Sequence, residues 1–252
     1  LPGCGGGSQV DPGPARSMRV AVEASDWGGA GGGQRLRSEH YVLYTTSSRP
    51  SIRGFMPGFM EAAHDNYLSL TGLPARRVGE PMPVYMLGSR REWAALTEQV
   101  VARHTDKYLA IEAGGYCYRG VCVFWDMGGT GSFSVAAHEG LHQFFHHRLR
   151  DRLPMWLEEG MCVSAEGFEI SGERWRFTPW RNPSRYTALL EGIVNDHWVP
   201  LPELLPMDAG DVADKGTKRA VSYYAQLWTL VQFLRSRPSY RSGLERLLAD
   251  AA

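Results

Sequence analysis

The sequence lacks a surplus of either charge and lacks long apolar runs. Lysine and arginine together number 27, as do aspartate and glutamate, so the formal net charge is zero at pH 7. Proteins that bind nucleic acid usually carry a basic excess, so no nucleic-acid partner is expected. No apolar segment reaches the length of a membrane-spanning helix. The 43% of hydrophobic and 11% of aromatic residues predict a packed globular protein.

Cysteine is also scarce, with four in 252 residues. Cys117 and Cys122 flank a tight turn between two predicted strands, and no second pair accompanies them. This spacing excludes a structural zinc site of the zinc-finger kind. It fits either a disulfide formed in an oxidising compartment or two small, half-buried side chains on neighbouring strands. Cys162 is interpreted as a core residue.

The first 36 residues are rich in glycine and proline and predict a flexible leader or tether, with ordered sequence starting near Ser38. The opening Leu1-Pro2-Gly3-Cys4 resembles the end of a bacterial lipoprotein signal. Under this hypothesis a lipid on Cys4 attaches the protein to a membrane, and the protein belongs to the cell envelope or is secreted. The alternative is a flexible leader whose cysteine carries no lipid.

The hydrophobic pattern places strands and helices in the first half and mostly helices in the second. Strands are predicted at 41–45, 83–87, 116–125 and 175–177, and helices at 55–70, 132–149, 155–166, 186–194, 201–205, 221–234 and 243–248. Ser89 is predicted to cap a further helix. This order predicts an α+β fold, in which a small mixed β-sheet with helices is followed by a mainly helical C-terminal lobe. Residues 37–252 are predicted to form one domain.

The segment His138-Glu139-Gly140-Leu141-His142 is an H-E-x-x-H motif. On a helix its two histidines lie on one face and can bind one metal ion, while Glu139 can reach a water on that ion. The alternative is a polar surface turn with two incidental histidines. Apolar residues on the same predicted helix indicate that it is partly buried. Two histidines in such a place are unfavourable unless they are hydrogen-bonded or bind a metal ion.

A catalytic zinc site needs a third protein ligand. Metzincins supply a third histidine six residues after the second, but that position is Arg148 here. The remaining source is the acidic pair Glu158 and Glu159 on the next predicted helix. By themselves these two residues are also consistent with an ordinary acidic first turn of a helix.

The H-E-x-x-H motif followed by Trp156-Leu157-Glu158-Glu159-Gly160 resembles the gluzincin metallopeptidases, and most closely the bacterial peptidase MA-like domains. The resemblance implies a zincin-like fold with the H-E-x-x-H helix at the cleft and the strand 121–125 at the sheet edge beside it. It implies one Zn²⁺ per chain, with Glu158 as the alternative third ligand. The implied metal ligands are His138, His142 and Glu159.

The resemblance also implies the remaining parts of the site. Glu139 is the general base, and Tyr224 stabilises the oxyanion, with Tyr223 or simple aromatic packing as the alternatives. Val163 stands where thermolysin-like relatives have an aspartate that orients a histidine ligand, so Glu166 is the candidate substitute.

The implied activity is zinc-dependent hydrolysis of peptide bonds in a peptide or protein substrate. One alternative is a catalytically inactive gluzincin-fold binding module at the cell envelope. A second is an envelope interaction protein whose histidines bind no metal. A third keeps the zinc chemistry but cleaves an amide in cell-wall material.

Overall fold

The computed structural model describes residues 15–28, 32–76, 79–101, 103, 105–207 and 216–252. Cys4, the predicted lipid attachment site, lies outside the described residues. Within them, no helix is both long and apolar enough to cross a membrane.

A mixed sheet of six strands lies at the centre of the structure. Its strands are β2 (Glu23–Trp27), β3 (Gly33–Arg37), β4 (Tyr41–Thr45), β5 (Met82–Leu87), β6 (Gly115–Tyr118) and β7 (Val121–Trp125). Across the sheet their order is β2-β3-β4-β5-β7-β6. The β4–β5 and β5–β7 pairs are parallel and the other pairs are antiparallel. The predicted mixed sheet is therefore confirmed.

Helices cover both faces of this sheet and form most of the second half of the chain. They are α1 (Pro50–Thr71), α2 (Arg90–Val100), α3 (Thr105–Leu109), α4 (Gly131–Arg148), α5 (Met155–Ala165), α6 (Pro183–Val194), α7 (Leu201–Leu204), α8 (Thr217–Ser236) and α9 (Pro238–Ala251). The predicted cap of α2 is confirmed, because the Ser89 side chain accepts a hydrogen bond from the Glu92 amide. The chain is thus α+β, as predicted.

Strand β7 shows how the sheet is buried on both faces. Its side chains alternate, so that Cys122 and Phe124 enter the large core shared with α1 and α4. Val123 and Trp125 enter a smaller core with Trp93 of α2. Because only the short loop 126–130 joins β7 to α4, this double burial helps to fix the start of the helix that carries the H-E-x-x-H motif.

Part of the predicted leader is ordered, so the prediction that ordered sequence begins near Ser38 is wrong. Strands β2 and β3 pair antiparallel at one edge of the central sheet. A short strand β1 (Arg16–Ser17) joins β8 (Phe168–Ile170) and β9 (Arg174–Phe177) in a second sheet. Residues of β2 are mostly exposed, so pairing with neighbouring strands, rather than burial of their own side chains, stabilises this segment. Hydrophobic patterning cannot detect such strands.

Candidate metal centre

Two helices that meet at a cleft carry the predicted ligands. His138, Glu139 and His142 lie on α4, and Glu158 and Glu159 lie on α5. The loop between the helices is short, so the two segments of the motif face each other. The structure brings all five side chains together.

Close packing at two glycines fixes the position of these helices. An added Cβ at Gly140 would lie 2.4 Å from the hydroxyl oxygen of Tyr67 on α1, and that hydroxyl donates a 2.9 Å hydrogen bond to the carbonyl oxygen of Ala137. A Cβ at Gly160 on α5 would lie 2.8 Å from the carbonyl oxygen of Leu227 on α8. A side chain at either glycine would displace the helices that hold the site.

The carboxylate of Glu159 lies between the two histidines of the motif. Its Oε2 is 3.3 Å from Nε2 of His138, and its Oε1 is 3.5 Å from Nε2 of His142. Ligand atoms bound 2.0–2.1 Å from one tetrahedral zinc ion stand about 3.3 Å apart. These distances are consistent with three ligands of a single ion and favour Glu159 over Glu158 as the third.

The other nitrogen of each imidazole is held by a second carboxylate. Nδ1 of His138 is 2.9 Å from Glu166, and Nδ1 of His142 is 2.8 Å from Glu158. Metal-binding histidines commonly donate this second N–H to a carboxylate, which fixes the tautomer and turns the Nε2 lone pair to the metal. The predicted contact between Glu166 and a histidine of the motif is confirmed. Glu158 has the same role for His142, which the sequence did not predict.

The arrangement fits a bound cation. With both Nδ1 atoms donating to carboxylates, the Nε2 lone pairs face the acceptor oxygens of Glu159, which requires a proton or a cation between them. Oε2 of Glu159 is also buried without a hydrogen-bond partner among the described residues. In the absence of metal a proton is retained instead. Burial opposes protonation of His138, but the nearby carboxylates of Glu159 and Glu166 raise its pKa to about 9.

Glu139, the predicted general base, lies in the cleft. Its side chain is buried, and it lines the cleft beside His138 and His142. Burial raises the pKa of Glu139 above its ordinary value, while the two histidines oppose this shift. A raised pKa brings the carboxyl closer to neutral pH, where it can both accept and release a proton.

The structure brings Tyr224, rather than Tyr223, to the cleft. The Tyr224 ring centroid is 6.4 Å from that of His138, and Tyr224 lines the cleft. Tyr223 is fully buried in a core cluster with Leu204 and Leu227. Burial raises the pKa of Tyr224, so its hydroxyl keeps its proton and can donate a hydrogen bond.

Arg185 on α6 was not predicted from the sequence. Its guanidinium donates hydrogen bonds of 3.0 and 2.8 Å to the two carboxylate oxygens of Glu166. Its central carbon also lies 5.8 Å from the ring centroid of Tyr224. Asn182, at the start of α6, donates a 3.4 Å hydrogen bond to Glu166. No motif marks these residues, because they reach the site only through the packing of α6 on α8.

The cysteines differ in their relation to the site. The thiol of Cys162 lies within 4.8 Å of ligand nitrogens of both His138 and His142, so it is a competing candidate for the third ligand. Cys117 and Cys122 face each other across the β6–β7 pair, and both are free thiols. They therefore match the alternative of small side chains on neighbouring strands.

The cleft above these residues has a volume of about 880 Å³. One wall is strand β6, and another is the loop Arg150–Leu153 between α4 and α5. The carbonyl oxygen of Ala251, near the end of α9, accepts hydrogen bonds from the amides of Arg150 and Asp151 at 2.7 and 3.2 Å. The last helix therefore supports one wall of the cleft.

The strand expected at the sheet edge beside the cleft was 121–125, and this expectation is wrong. That strand is β7, which lies between β5 and β6, and β6 is the edge strand. Arg119 and Gly120 both have positive φ, 50° and 77°, and form a two-residue turn that folds β6 back onto β7. The turn residues show the hairpin, but not which of its strands lies outermost.

No protein-family model, curated protein or solved structure matches the chain.

Proposed function

We propose that the protein is a gluzincin-like zinc hydrolase that cleaves peptide bonds. The observation that carries this proposal is the position of Glu159 between the Nε2 atoms of His138 and His142. The opposite nitrogen of each imidazole donates to its own carboxylate, which is the usual environment of a metal-binding histidine. Such an arrangement is costly to bury without a cation.

His138, His142 and Glu159 would hold the zinc ion. A zinc ion with three protein ligands supplies a polarised water whose pKa is lowered to about 7. The identity of the metal follows from the donors, because two imidazoles and a carboxylate match known catalytic zinc sites. The proposed zincin-like fold is supported by the order of strand, H-E-x-x-H helix and second ligand helix along the chain.

The side chains of the cleft have complementary roles in this reaction. Glu139 accepts a proton from the attacking water and returns it to the leaving nitrogen, a role worth about 10²- to 10⁴-fold in rate. The Tyr224 hydroxyl donates a hydrogen bond to the oxyanion that develops on the substrate carbonyl. Strand β6 offers the backbone groups of a sheet edge to an extended peptide.

Metal content and turnover test this proposal together. We expect about one zinc per chain in the wild type by elemental mass spectrometry, and loss of zinc in His138→Ala and Glu159→Ala. His146→Ala is the matched control for zinc content only, because this exposed histidine on α4 lies outside the ligand set but lines the same cleft. Glu139→Gln is expected to keep its zinc and to lose at least about 10²-fold in cleavage of a fluorogenic peptide library.

Three outcomes would contradict the proposal. A wild type that binds no zinc after reconstitution would exclude the metal centre. Full activity in Glu139→Gln would exclude the proposed base. A wild type that binds zinc but cleaves no peptide would favour the inactive binding module or cleavage of a different amide.

A further inference from the structure

Helix α6 presents a partly buried cation, Arg185, to the carboxylate of Glu166 beside the metal centre. The Arg185 guanidinium donates through Nε to Oε2 of Glu166 and through a terminal nitrogen to Oε1, at 3.0 and 2.8 Å. This is the two-pronged geometry that arginine forms with carboxylates. The side chains of Arg185 and Glu166 are 23% and 10% exposed, so solvent screens the pair only weakly.

The same carboxylate orients a proposed zinc ligand. Oε1 of Glu166 is shared between Arg185 and Nδ1 of His138, at 2.8 and 2.9 Å. Fixing both oxygens of Glu166 fixes the plane of the carboxylate. The direction of the His138 ring, and hence of its Nε2 lone pair, depends on that plane.

The guanidinium also contacts Tyr224, which lines the cleft. Its central carbon lies 5.8 Å from the ring centroid of Tyr224, within the range of a cation–π contact. Arg185 thus contacts both Glu166, which supports His138, and the tyrosine proposed to bind the oxyanion.

The position of Arg185 is set by the way α6 begins and packs. Asn182 accepts a hydrogen bond from the Arg185 amide and so caps the helix, while its amide nitrogen donates to Glu166. Further along, a Cβ at Gly192 would lie 2.3 Å from Oγ of Ser222, so α6 lies close against α8. A close contact of this kind leaves little freedom for α6 to slide along α8.

We propose that Arg185 is a positioning residue that aligns His138, through Glu166, and Tyr224 at the same time. The inference rests on the proposed function. In this role α6 couples metal binding to oxyanion binding, because one side chain holds parts of both. A purely structural ion pair would only fasten α6 to the body of the protein.

Variants of Arg185 in the full chain separate these two roles. Arg185→Met removes both the charge and the two N–H donors that bind the oxygens of Glu166. Arg185→Lys keeps the charge but cannot form the two-pronged contact. Arg181→Met is the matched control, because Arg181 forms an exposed ion pair with Glu169 at 3.4 Å nearby. Zinc affinity is measured by competition with a chromophoric chelator, and kcat and KM are measured at saturating zinc.

A positioning role predicts about 10- to 100-fold weaker zinc binding in Arg185→Met and a smaller loss in Arg185→Lys. At saturating zinc, kcat falls while KM changes little, because Tyr224 acts on the transition state. The double variant Arg185→Met/Glu166→Gln should bind zinc as tightly as the single variant Glu166→Gln. This is expected because Arg185 acts on His138 only through Glu166. Arg181→Met should match the wild type in zinc affinity, kcat and KM.

The inference would be overturned if Arg185→Met folds and binds zinc with the affinity of the wild type. If Arg185→Met does not fold, wild-type zinc affinity in Arg185→Lys would overturn it instead. The two proposals fail differently. A wild type without zinc contradicts the proposed function, whereas a wild type that binds zinc beside Arg185 variants that behave like the control contradicts only the positioning role. If the wild type binds zinc but cleaves no peptide, the zinc affinities of the Arg185 variants still test the positioning role.

Discussion

Replacement of Gly160 by alanine should destabilise the protein, although alanine is the better helix former. An added Cβ would lie 2.6 Å from Cγ2 of Val231, and 2.8 and 3.2 Å from the carbonyl oxygen and carbon of Leu227. Backbone atoms cannot rotate away as a side-chain end can, so α5 and α8 must separate. Both helices carry site residues, Glu159 on α5 and Tyr224 on α8.

The expected magnitude follows from two opposing effects. Overpacking of a closely packed contact costs about 1–3 kcal/mol. The gain in helix propensity from glycine to alanine returns up to about 1 kcal/mol. A cost near the middle of this range, about 2 kcal/mol, less a gain of up to about 1 kcal/mol, leaves a net loss in the free energy of unfolding of about 1–2 kcal/mol. For a chain of this length this corresponds to a fall in Tm of about 2–8 °C.

Gly243→Ala is the matched control. Gly243 also lies inside a helix, α9, but an added Cβ there meets nothing within 4 Å. Its propensity gain is unopposed, so this variant should be more stable than the wild type by up to about 1 kcal/mol. Thermal unfolding of all three proteins in the presence of a chelator removes stabilisation by bound metal. A Gly160→Ala variant at least as stable as the wild type would refute the packing argument.

Two further predictions concern Cys162 and His64. If Glu159 is the third ligand, Cys162→Ser should keep one zinc per chain by elemental mass spectrometry. Zinc lost in Cys162→Ser but kept in Glu159→Ala would instead identify the thiol as the ligand. Burial and the charge of His40 lower the pKa of His64 to about 4, below its ordinary value of about 6.5. The folded state therefore disfavours protonation of His64, whereas the unfolded chain accepts the proton below about pH 6.5. The free energy of unfolding should then fall by at most about 3 kcal/mol as the pH falls from about 6.5 to 4. Urea unfolding between pH 7 and 4.5 should show a smaller loss of stability in His64→Phe, and equal losses would contradict this assignment.

Features that depend on neighbouring residues in the sequence were predicted well. The H-E-x-x-H motif lies on a helix, as the spacing of its histidines requires, and Ser89 caps α2. The choice between Glu158 and Glu159 needed the structure. Adjacent residues on a helix point about 100° apart. The orientation of α5 about its own axis therefore decides which carboxylate faces Nε2 of both histidines.

Features that depend on contacts between distant segments were missed. Arg185 contacts Glu166 only because α6 packs on α8, and no local pattern encodes that contact. Strand β2 was assigned to a flexible leader because its side chains are mostly exposed and it gains order by pairing with β3. The edge position of β6 likewise follows from the order of the whole sheet, which a hairpin signal does not contain.

The hydrogen bonds from Arg150 and Asp151 to Ala251 make one wall of the cleft depend on the last turn of α9. Leu248 and Ala251 of that turn are buried in the same core cluster as Leu153, which belongs to this wall. A substitution that loosens the turn would therefore remove the acceptor of both amides and weaken the packing of the core at the same time. The shape of the cleft thus depends on residues that lie far along the chain from the H-E-x-x-H motif.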